Sequence, residues 1–554
     1  MHIVVPMAGA GTRFIRGGYT QPKPLIRVDG RPMIEHVVNL FPGESRFTFL
    51  CNREHLEQSP MRLELERIAP GCVVRGIEPH KLGPVHSVAL AFDCLDDDET
   101  IVNYCDFGTW WDYHDFLARV RASGAQGAAP AYRGFHPHML GCTNYAFMRN
   151  HHEWMLEIKE KAPFTDDRTR EFASNGTYYF RSGALIVKYF NELLQSGIRV
   201  ADEFYVSMGL NLLRRDGLKV MIYEIQHMLQ WGTPQDLEEY AHWSGYFRAV
   251  CAPHAQNTKI FPGVSLIPMA GQSRRFQDAG FAVPKPMLPV NGKPMAVQAA
   301  QCMPRAQQTL FACLADHLDR FPVKTLIESH LPGARIIALE KMSRGQAETC
   351  GMALRDTDPD SPVFVGACDN GMLWDIAAYE ALLREPDTDA VIWTFRNNPA
   401  CLLHPEQYGW VRTMDGKHAA GVSVKKTISR DVARDHAVVG AFTFRSARIF
   451  LRGLEHLISR DIRVNGEFYI DSLMHELIGL GFCVKIFQVD HYAGWGTPGD
   501  YRTYEYWQSY FHKCLDHPYT LDDDPFVDAQ SARELDIKYR TFAQPGAAEP
   551  DEAP

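Results

Sequence analysis

A loop of small residues followed by an arginine and a lysine is the stretch of this sequence best suited to chemistry. An apolar run ends at Pro268 and leads into the loop; Arg275 follows the loop directly, and Lys285 stands in a Pro-Lys-Pro motif. Small residues let backbone N–H groups approach an anion closely, and Arg and Lys supply mobile positive charge. This combination predicts a polyphosphate site, whose loop residues are Met269, Ala270, Gly271, Gln272 and Ser273.

The same stretch occurs near the start of the chain, with Arg13 and Lys23 in the places of Arg275 and Lys285. Its loop residues are Met7, Ala8, Gly9, Ala10 and Gly11. Later motifs also recur at nearly the same spacing: Glu-Phe-Tyr ends at Tyr205 and Tyr469, and Trp-Gly-Thr-Pro ends at Pro234 and Pro498. The sequence is therefore interpreted as a tandem duplication.

In each half an apolar run ends in an aspartate, Asp106 in the first and Asp369 in the second. Ligands bind at the carboxyl ends of strands in open α/β sheets, where an aspartate is well placed to hold a divalent cation. The alternative is a turn or helix-capping aspartate. The repetition of this pattern in both halves favours the metal-binding interpretation.

Length and pattern predict two α/β domains. A chain of 554 residues is too long for one core, and its strand-like runs alternate with helical segments, as in a doubly wound parallel sheet. The expected divisions are a first domain over residues 1–250, a linker over 251–263 and a second domain over 264–515. Residues 516–554 are expected to form an acidic, partly disordered tail, with a short helix over 529–539.

Composition excludes several classes of partner. The chain has 57 Lys and Arg against 67 Asp and Glu, a formal charge of −10, without a block of basic residues. Neither a nucleic acid nor an anionic membrane is an expected partner. The cysteines stand singly, without metal-ligand spacing, and no long apolar run or leader-like segment is apparent. A cytoplasmic protein is expected.

The loop, its Thr-Arg-Phe14 continuation and the Pro-Lys-Pro-Leu25 motif resemble the sugar-phosphate nucleotidyltransferases, also called sugar-nucleotide pyrophosphorylases. The resemblance covers roughly residues 1–250 and 264–515. It implies two tandem Rossmann-like, GT-A-like domains, each with a mixed, mostly parallel sheet flanked by helices. It also implies transfer of a nucleotidyl group from an NTP to a sugar or polyol phosphate, with release of pyrophosphate, for surface-polysaccharide or related precursors.

The resemblance assigns Mg²⁺ to Asp369 and, by repetition, to Asp106. The family often has a second metal-binding aspartate ahead of Gly-Thr-Pro, but this chain has Gln230 and Gly494 at the matching positions. Asp490 is the expected replacement in the second half. The aspartates that follow Thr-Pro, in contrast, are expected to cap helices. The second half also has Asp471 where the first has Ser207, so it keeps more acids, and we expect the metal site and catalysis there.

The resemblance also assigns an acceptor side to the site. Glu406 and Gly409 are expected to line it, and Lys425 or Lys426 to bind the acceptor phosphate, although surface solvation explains each charged residue equally well. The remaining expected acceptor residues are Gly440 in the second half, and Gly141, Lys161 and Gly176 in the first.

Base recognition is predicted near two glycines, Gly345 and Gly83. Glu340 and Glu78 stand five residues before them, where related enzymes for thymidine and uridine nucleotides commonly have Gln. A carboxylate only accepts hydrogen bonds, so it favours a base with an amino group. CTP is therefore the first expectation and GTP the second. The alternative is that each glutamate is simply exposed.

Two other functions remain open from the sequence. One is a regulatory protein that binds nucleotide without turnover, and the other is a scaffold in which one half is an inactive partner. The missing family aspartate favours the former. A homo-oligomer is compatible with the sequence, which does not set the oligomeric state.

Overall fold

The computed structural model describes residues 1–141, 144–252 and 260–541. Within these ranges the chain forms two compact units, residues 1–241 and 242–541. Residues 253–259 of the expected linker and 542–554 of the expected tail lie outside the described residues.

The first unit contains one large mixed sheet with helices. Its strands are β1 His2–Met7, β2 Arg27–Val28, β3 Arg31–Pro32, β4 Arg46–Asn52, β5 Val73–Ile77, β6 Thr100–Asn103, β7 Phe107–Trp110, β8 Gly127–Tyr132, β9 Ala146–His151, β10 Trp154–Glu160, β11 Phe172–Ser174, β12 Thr177–Phe180, β13 Val220–Glu224 and β14 His227–Gln230. Its helices are α1 Thr12–Arg16, α2 Met33–Val38, α3 Arg53–Gln58, α4 Met61–Ile68, α5 Pro84–Ala89, α6 Tyr113–Ser123, α7 Gly183–Ser196, α8 Val206–Arg215 and α9 Pro234–Cys251, the last of which includes the division between the units.

The second unit repeats this succession. Its strands are β15 Phe261–Pro268, β16 Pro289–Val290, β17 Lys293–Pro294, β18 Ala306–Leu314, β19 Arg335–Leu339, β20 Val363–Val365, β21 Asn370–Leu373, β22 Ala390–Phe395, β23 Gly409–Thr413, β24 Ala419–Val424, β25 His436–Phe444, β26 Val484–Gln488 and β27 His491–Gly494. Its helices are α10 Arg274–Asp278, α11 Met295–Gln301, α12 Ala315–Arg320, α13 Val323–His330, α14 Gln346–Ala353, α15 Ile376–Arg384, α16 Ala400–Leu403, α17 Ala447–Ser459, α18 Ile470–Gly479, α19 Pro498–Lys513 and α20 Ala529–Arg540.

The two large sheets share the order of seven strands, from β13 to β5 in the first unit and from β26 to β19 in the second. In the first unit the order is β11-β9-β10-β13-β8-β12-β6-β1-β4-β5, and in the second it is β19-β18-β15-β20-β25-β22-β26, with the β23–β24 hairpin joined to β25. Strands β15, β18, β19 and β20 run parallel, whereas β25 runs antiparallel to β20. Each sheet is therefore mixed, with a parallel group that includes the strand before the small-residue loop.

Continuous apolar strands explain why the parallel group is buried. All six residues of β1 are buried, because helices cover both faces of such a strand and leave no wet side for alternating polar residues. In the second unit Leu266 and Val365 pack in one cluster with Phe450 of α17 and Leu477 of α18. Truncating one such buried side chain to alanine typically costs about 2–5 kcal/mol.

The segment after residue 515 is ordered for longer than the sequence predicts. Tyr519, Leu521 and Asp524 are buried, and the Tyr519 hydroxyl donates to Asp524 Oδ2 at 2.8 Å. The expected helix is confirmed as α20 and buries Tyr539. The prediction of disorder for the acidic run at 521–525 is wrong, because the burial of Tyr519 and its hydrogen bond to Asp524 outweigh the polar composition of the run.

None of the helices in the described ranges is long and apolar enough to cross a membrane. The cysteines of these ranges are all free, as expected from their scattered positions.

Candidate functional site

A cavity of about 760 Å³ opens at the carboxyl ends of β15 and β20 in the second unit. Its volume lies in the range of small-molecule sites. The predicted residues that line it are Met269, Ala270, Gly271, Ser273, Arg275, Lys285, Gly345, Asp369, Gly409, Lys425 and Gly440. Residues from both predicted sides of the site thus meet in one cavity.

The small-residue loop is fixed to the lysine segment by Ser273. The Met269 N–H donates to the Ala312 carbonyl at 2.8 Å, which holds the start of the loop against β18. Ser273 adopts a left-handed conformation with φ 57°, and its Oγ accepts the Lys285 N–H at 3.0 Å. Arg275 is exposed at the rim, where its guanidinium donates to Gln407 at 3.5 Å. The loop therefore presents two cations at defined positions.

Lys285 forms an ion pair with Asp369 inside the cavity. Lys285 Nζ lies 2.5 Å from Asp369 Oδ2, and both side chains are largely buried. Burial alone would lower the pKa of Lys285, but the nearby Asp369 carboxylate outweighs burial and raises that pKa. The lysine remains cationic, so it can bind phosphate once the carboxylate engages another cation.

Asp369 suits a divalent cation. In the described part of the chain no hydrogen bond engages its Oδ1, and Gly496 faces its Oδ2, where a Cβ atom would lie at 3.1 Å. The Trp495 N–H fixes the Asp369 carbonyl at 2.8 Å. Mg²⁺ is commonly held by one or two carboxylates together with substrate phosphates and water, which this arrangement permits.

Asp490 does not join Asp369. In the antiparallel β21–β27 pair Leu373 lies opposite His491, and the Asp490 N–H donates to the Leu373 carbonyl at 2.9 Å. This register puts Asp490 opposite Trp374, five residues and thus about 16 Å along the strand from Asp369 at 3.3 Å per residue. Asp490 is exposed and cannot share an ion with Asp369, so the expected replacement is wrong.

The aspartates after Thr-Pro cap helices, as predicted. Thr497 Oγ1 accepts the Asp500 N–H at 3.1 Å, and Asp500 Oδ2 accepts the Thr497 N–H at 3.2 Å, which completes a capping box at the start of α19. Asp236 and Thr233 make the same two bonds. Gln230 also donates to Asp236 at 3.0 Å. In the first unit the position at which the family often has a metal-binding aspartate is thus occupied by Gln230, whose side-chain amide is hydrogen-bonded to Asp236.

The acceptor side contains a lysine in a strained backbone conformation. Lys425 follows β24 with φ 56°, its N–H donates to the Tyr408 carbonyl at 3.0 Å, and its ammonium lies 5.0 Å from the Tyr469 ring centre. Among the residues that the structure describes, none forms an ion pair or hydrogen bond with the ammonium. A cation of this kind is available to an incoming phosphate.

Asp471 is a site residue for which sequence reasoning found no role. It lines the cavity from α18, and its Oδ1 is buried without a hydrogen-bond partner in the described ranges. Burial raises the pKa of Asp471 to about 6, against smaller downward effects of its own backbone N–H and then of Lys425. Its only sequence signal was the replacement of Ser207 by an acid.

Several other predicted residues lie outside the lining of this cavity. Glu340, Glu406 and Lys426 are exposed, as is Gln272. Glu406 follows Pro405 in a short 3-10 turn and faces His404 at 3.4 Å rather than the cavity. The 3-10 turn that contains Glu406 and the end of the β23–β24 hairpin before Lys426 place these two residues outside the cavity lining. The spacing of residues in the sequence could not indicate this.

The first unit repeats the central ion pair, but its acceptor-side lysine, Lys161, makes a hydrogen bond within the protein. Lys23 Nζ lies 2.5 Å from Asp106 Oδ2. Lys161, with φ 57°, donates through Nζ to the Tyr205 hydroxyl, which itself donates to Glu203. The acceptor-side cation of this unit therefore has a partner within the protein.

The remaining predicted residues of the first unit are placed by local structure. Met7 and Ala8 are buried in the loop, Gly9, Ala10 and Arg13 are exposed, and Gly11 has φ 64°. Glu78 pairs with Arg53 at 2.9 Å on the surface, and Gly176, with φ 100°, accepts the Tyr104 N–H at 3.0 Å.

Gly83 and Gly345 are required for packing. They have positive φ angles of 88° and 141°. A Cβ atom would lie 2.7 Å from the Phe204 carbonyl oxygen at Gly83 and 2.4 Å from the Phe468 nitrogen at Gly345. Both glycines thus allow the turn to approach the opposite backbone closely.

Gly141, expected on the acceptor side of the first unit, is not the counterpart of Gly409 there. The Lys161 N–H donates to Tyr145 as that of Lys425 donates to Tyr408, so the counterpart of Gly409 is Ala146. Gly141 is exposed, and its carbonyl accepts from Arg168 at 2.7 Å.

Comparison with known proteins identifies the domains. The MobA-like NTP transferase domain family matches residues 3–167 and again 265–434, together more than half of the chain. A curated relative, the bifunctional protein GlmU of Azorhizobium caulinodans, is 27% identical over 234 residues, which are 40% of this chain and 48% of that protein. The chain thus spans about half the length of the curated relative that it matches.

Solved structures similar to this chain include two named for sugar or inositol nucleotide chemistry. One is a nucleoside-diphosphate-sugar pyrophosphorylase from Vibrio cholerae RC9, with 21% identity and a TM-score of 0.37 over 43% of this chain and 98% of that one. The other is an inositol-1-phosphate CTP transferase from T. maritima, with 12% identity and a TM-score of 0.36 over 45% and 95%. The family matches confirm the predicted duplication: the chain belongs to the MobA-like NTP transferase domain family and carries two copies of that domain.

Proposed function

We propose that the second unit transfers a nucleotidyl group from an NTP to the phosphate of a sugar or polyol phosphate and releases pyrophosphate. The observation that carries this proposal is the joining of the Lys285–Asp369 pair, the small-residue loop and the unpaired Lys425 in one cavity. Three separated groups for phosphate suit two phosphorylated substrates. The product would serve as an activated precursor for surface polysaccharide or a related polymer, made in the cytoplasm.

The reaction needs no protein nucleophile. An oxygen of the acceptor phosphate forms a new bond to the α-phosphorus of the NTP, the bond from that phosphorus to the bridging oxygen breaks, and pyrophosphate leaves with the electron pair. The protein supplies orientation and charge neutralisation. Backbone amides of the loop and Arg275 would hold the β- and γ-phosphates, while Lys425 would hold the acceptor phosphate.

Lys285 would act at the reacting phosphate. Ser273 fixes the backbone of Lys285 to the loop and Asp369 holds its ammonium, so little reorganisation is required when negative charge develops. Nucleotidyltransferases of this family generally use a divalent metal. Asp369 would hold Mg²⁺, which would neutralise phosphate charge.

CTP is the proposed first nucleotide and GTP the second, because the carboxylates of Glu340 and Glu78 would accept a hydrogen bond from a base amino group. Glu340 is exposed outside the cavity lining, where Ser343 and Gln346 are the uncharged polar side chains of the neighbouring wall. Recognition through Glu340 would thus require the base to reach past Met342 at the cavity edge.

A second function is favoured for the first unit, namely nucleotide binding without turnover. Lys161 already has the Tyr205 hydroxyl as partner, and Gln230 occupies the position of the family aspartate. Such a unit would act as a regulator or an inactive structural partner.

Pyrophosphate release tests the proposed function. The wild-type chain would be incubated with Mg²⁺, each of five NTPs, and sugar or polyol phosphates singly. We expect release that requires both an NTP and an acceptor, and most release with CTP. Nucleotide binding without release for any pair would contradict the enzyme and support the regulatory alternative.

A further inference from the structure

The two units differ at one equivalent position of the acceptor side. In the first unit Ala146 lies opposite Glu160 in the β9–β10 hairpin, and in the second Gly409 lies opposite Val424 in the β23–β24 hairpin. The lysine after each hairpin bonds the tyrosine before it, which fixes the equivalence. An acid in the first hairpin is thus replaced by an apolar residue in the second.

The acid is not lost in the second unit but is supplied by another element. In the first unit Ser207 of α8 donates to Glu160 Oε2 at 2.6 Å. In the second unit the matching helix α18 carries Asp471 instead of a serine. Each unit therefore keeps one carboxylate beside its lysine, from the strand in one case and from the helix in the other.

Gly409 makes room for the relocated acid. A Cβ atom at residue 409 would lie 2.7 Å from Asp471 Oδ1, so the side chain of an alanine would collide with the carboxylate. In the first unit Ala146 is compatible with the shorter Ser207. The three substitutions between the units, at the two hairpin positions and on the helix, are therefore mutually consistent.

The first unit also indicates what the acid binds. There the carboxylate of Glu160 accepts a hydrogen bond from a hydroxyl of the protein, Ser207. In the second unit Asp471 Oδ1 is buried, lines the cavity and has no donor in the described part of the chain. A buried acceptor without a donor is costly, so the ligand is the natural source of the missing hydroxyl.

We propose that Asp471 accepts a hydrogen bond from a hydroxyl of the acceptor whose phosphate lies at Lys425, and so selects a phosphorylated polyhydroxy compound over a simple alkyl phosphate. This assignment rests on the proposed function of the second unit. Asp471 is then a specificity-determining residue. Gly409 is required because any larger side chain would collide with the Asp471 carboxylate.

Steady-state kinetics with two acceptor classes test this proposal. Asp471→Ala, Asp471→Ser and the isosteric Asp471→Asn would be compared with wild type, using sugar and polyol phosphates and methyl phosphate as acceptors. We expect Asp471→Ala to raise KM for the hydroxylated acceptor about tenfold or more, and to leave KM for the NTP and the use of methyl phosphate within about twofold. Glu455→Ala, which removes an exposed acid of α17, is the matched control.

A rescue variant distinguishes recognition from structural damage. Val424→Glu combined with Asp471→Ala returns a carboxylate to the hairpin position without adding a protein hydroxyl as its donor. We expect it to regain most of the acceptor affinity that Asp471→Ala loses. An unchanged acceptor KM in Asp471→Ala, equal losses for both acceptor classes, or no rescue would overturn the proposal. A wild-type protein that releases no pyrophosphate would instead refute the proposed function on which it rests.

Discussion

Lys285 Nζ lies 2.5 Å from Asp369 Oδ2, and the pair joins the small-residue loop to the end of β20. The first unit repeats this contact between Lys23 and Asp106, also at 2.5 Å. In each unit the cation proposed to bind phosphate and the carboxylate proposed to bind a metal are therefore paired with each other. The pair explains how both charges are kept in a largely buried position.

Replacing Lys285 by alanine should slow turnover by about a hundredfold or more, because one preorganised charge contact contributes on the order of 2–4 kcal/mol to transition-state stabilisation. Single-turnover pyrophosphate release measures the effect. Lys324→Ala removes an exposed lysine of α13 and should behave as wild type. Near-normal turnover in Lys285→Ala would remove this lysine from the reaction.

Gly271→Ala should fold normally but bind the NTP more weakly. Apart from the two chain neighbours of Gly271, no atom of the described residues lies within 4 Å of a Cβ atom built there, so the methyl group would meet the phosphates that approach the loop. Gly479→Ala in α18 has equal space around its Cβ and is the matched control. Calorimetric titration with NTP measures the difference, and equal affinity in the two variants would contradict close phosphate approach at the loop.

Asp471→Asn should stabilise the protein more at pH 8 than at pH 4.5. Burial raises the pKa of Asp471 to about 6, above its value in the unfolded chain, so the folded state holds the proton more tightly and loses stability as pH rises from about 4 to 6. Asparagine removes this loss, worth ~1–3 kcal/mol above pH 6. Thermal unfolding at both pH values measures it. A gain that is equal at the two pH values would show that the carboxylate charge is not responsible.

The ordered segment after residue 515 should stabilise the second unit. Tyr519 is buried and accepts from Gln508 at 2.8 Å, and Gln508 also donates to Asn291 at 2.7 Å next to the lysine segment. Tyr519→Ala should cost about 3–5 kcal/mol, as for other large buried side chains. Leu515→Ala, at a fully exposed residue, should cost little. Urea unfolding compares the two, and similar costs would contradict the packing role of this segment.

Sequence reasoning located the parts of the site that depend on short, contiguous patterns. The loop and Asp369 follow apolar strands, and the topology of a parallel sheet brings the ends of such strands together. Lys285 stands in the Pro-Lys-Pro motif a short distance after the loop. The two capping aspartates were predicted for a similar reason, because a capping box is local.

The incorrect assignments depended on long-range register. The pairing of β21 with β27 places Asp490 far from Asp369. The pairing of β9 with β10 makes Ala146, and not Gly141, the first-unit counterpart of Gly409. Asp471 acquires its position from the packing of α18 against the β23–β24 hairpin, which no local pattern of the sequence contains. Disorder at 521–525 was predicted from acidic composition, without the aromatic residues that bury it.

Pyrophosphate release by the wild type, Asp106→Ala and Asp369→Ala, with Mg²⁺ and the best NTP and acceptor pair, tests the central claim most directly. The claim that the second unit is the catalytic one predicts that release is lost in Asp369→Ala and retained in Asp106→Ala. Loss in Asp106→Ala with full release in Asp369→Ala would contradict it, and partial losses in both would mean that the chain contains two enzymes.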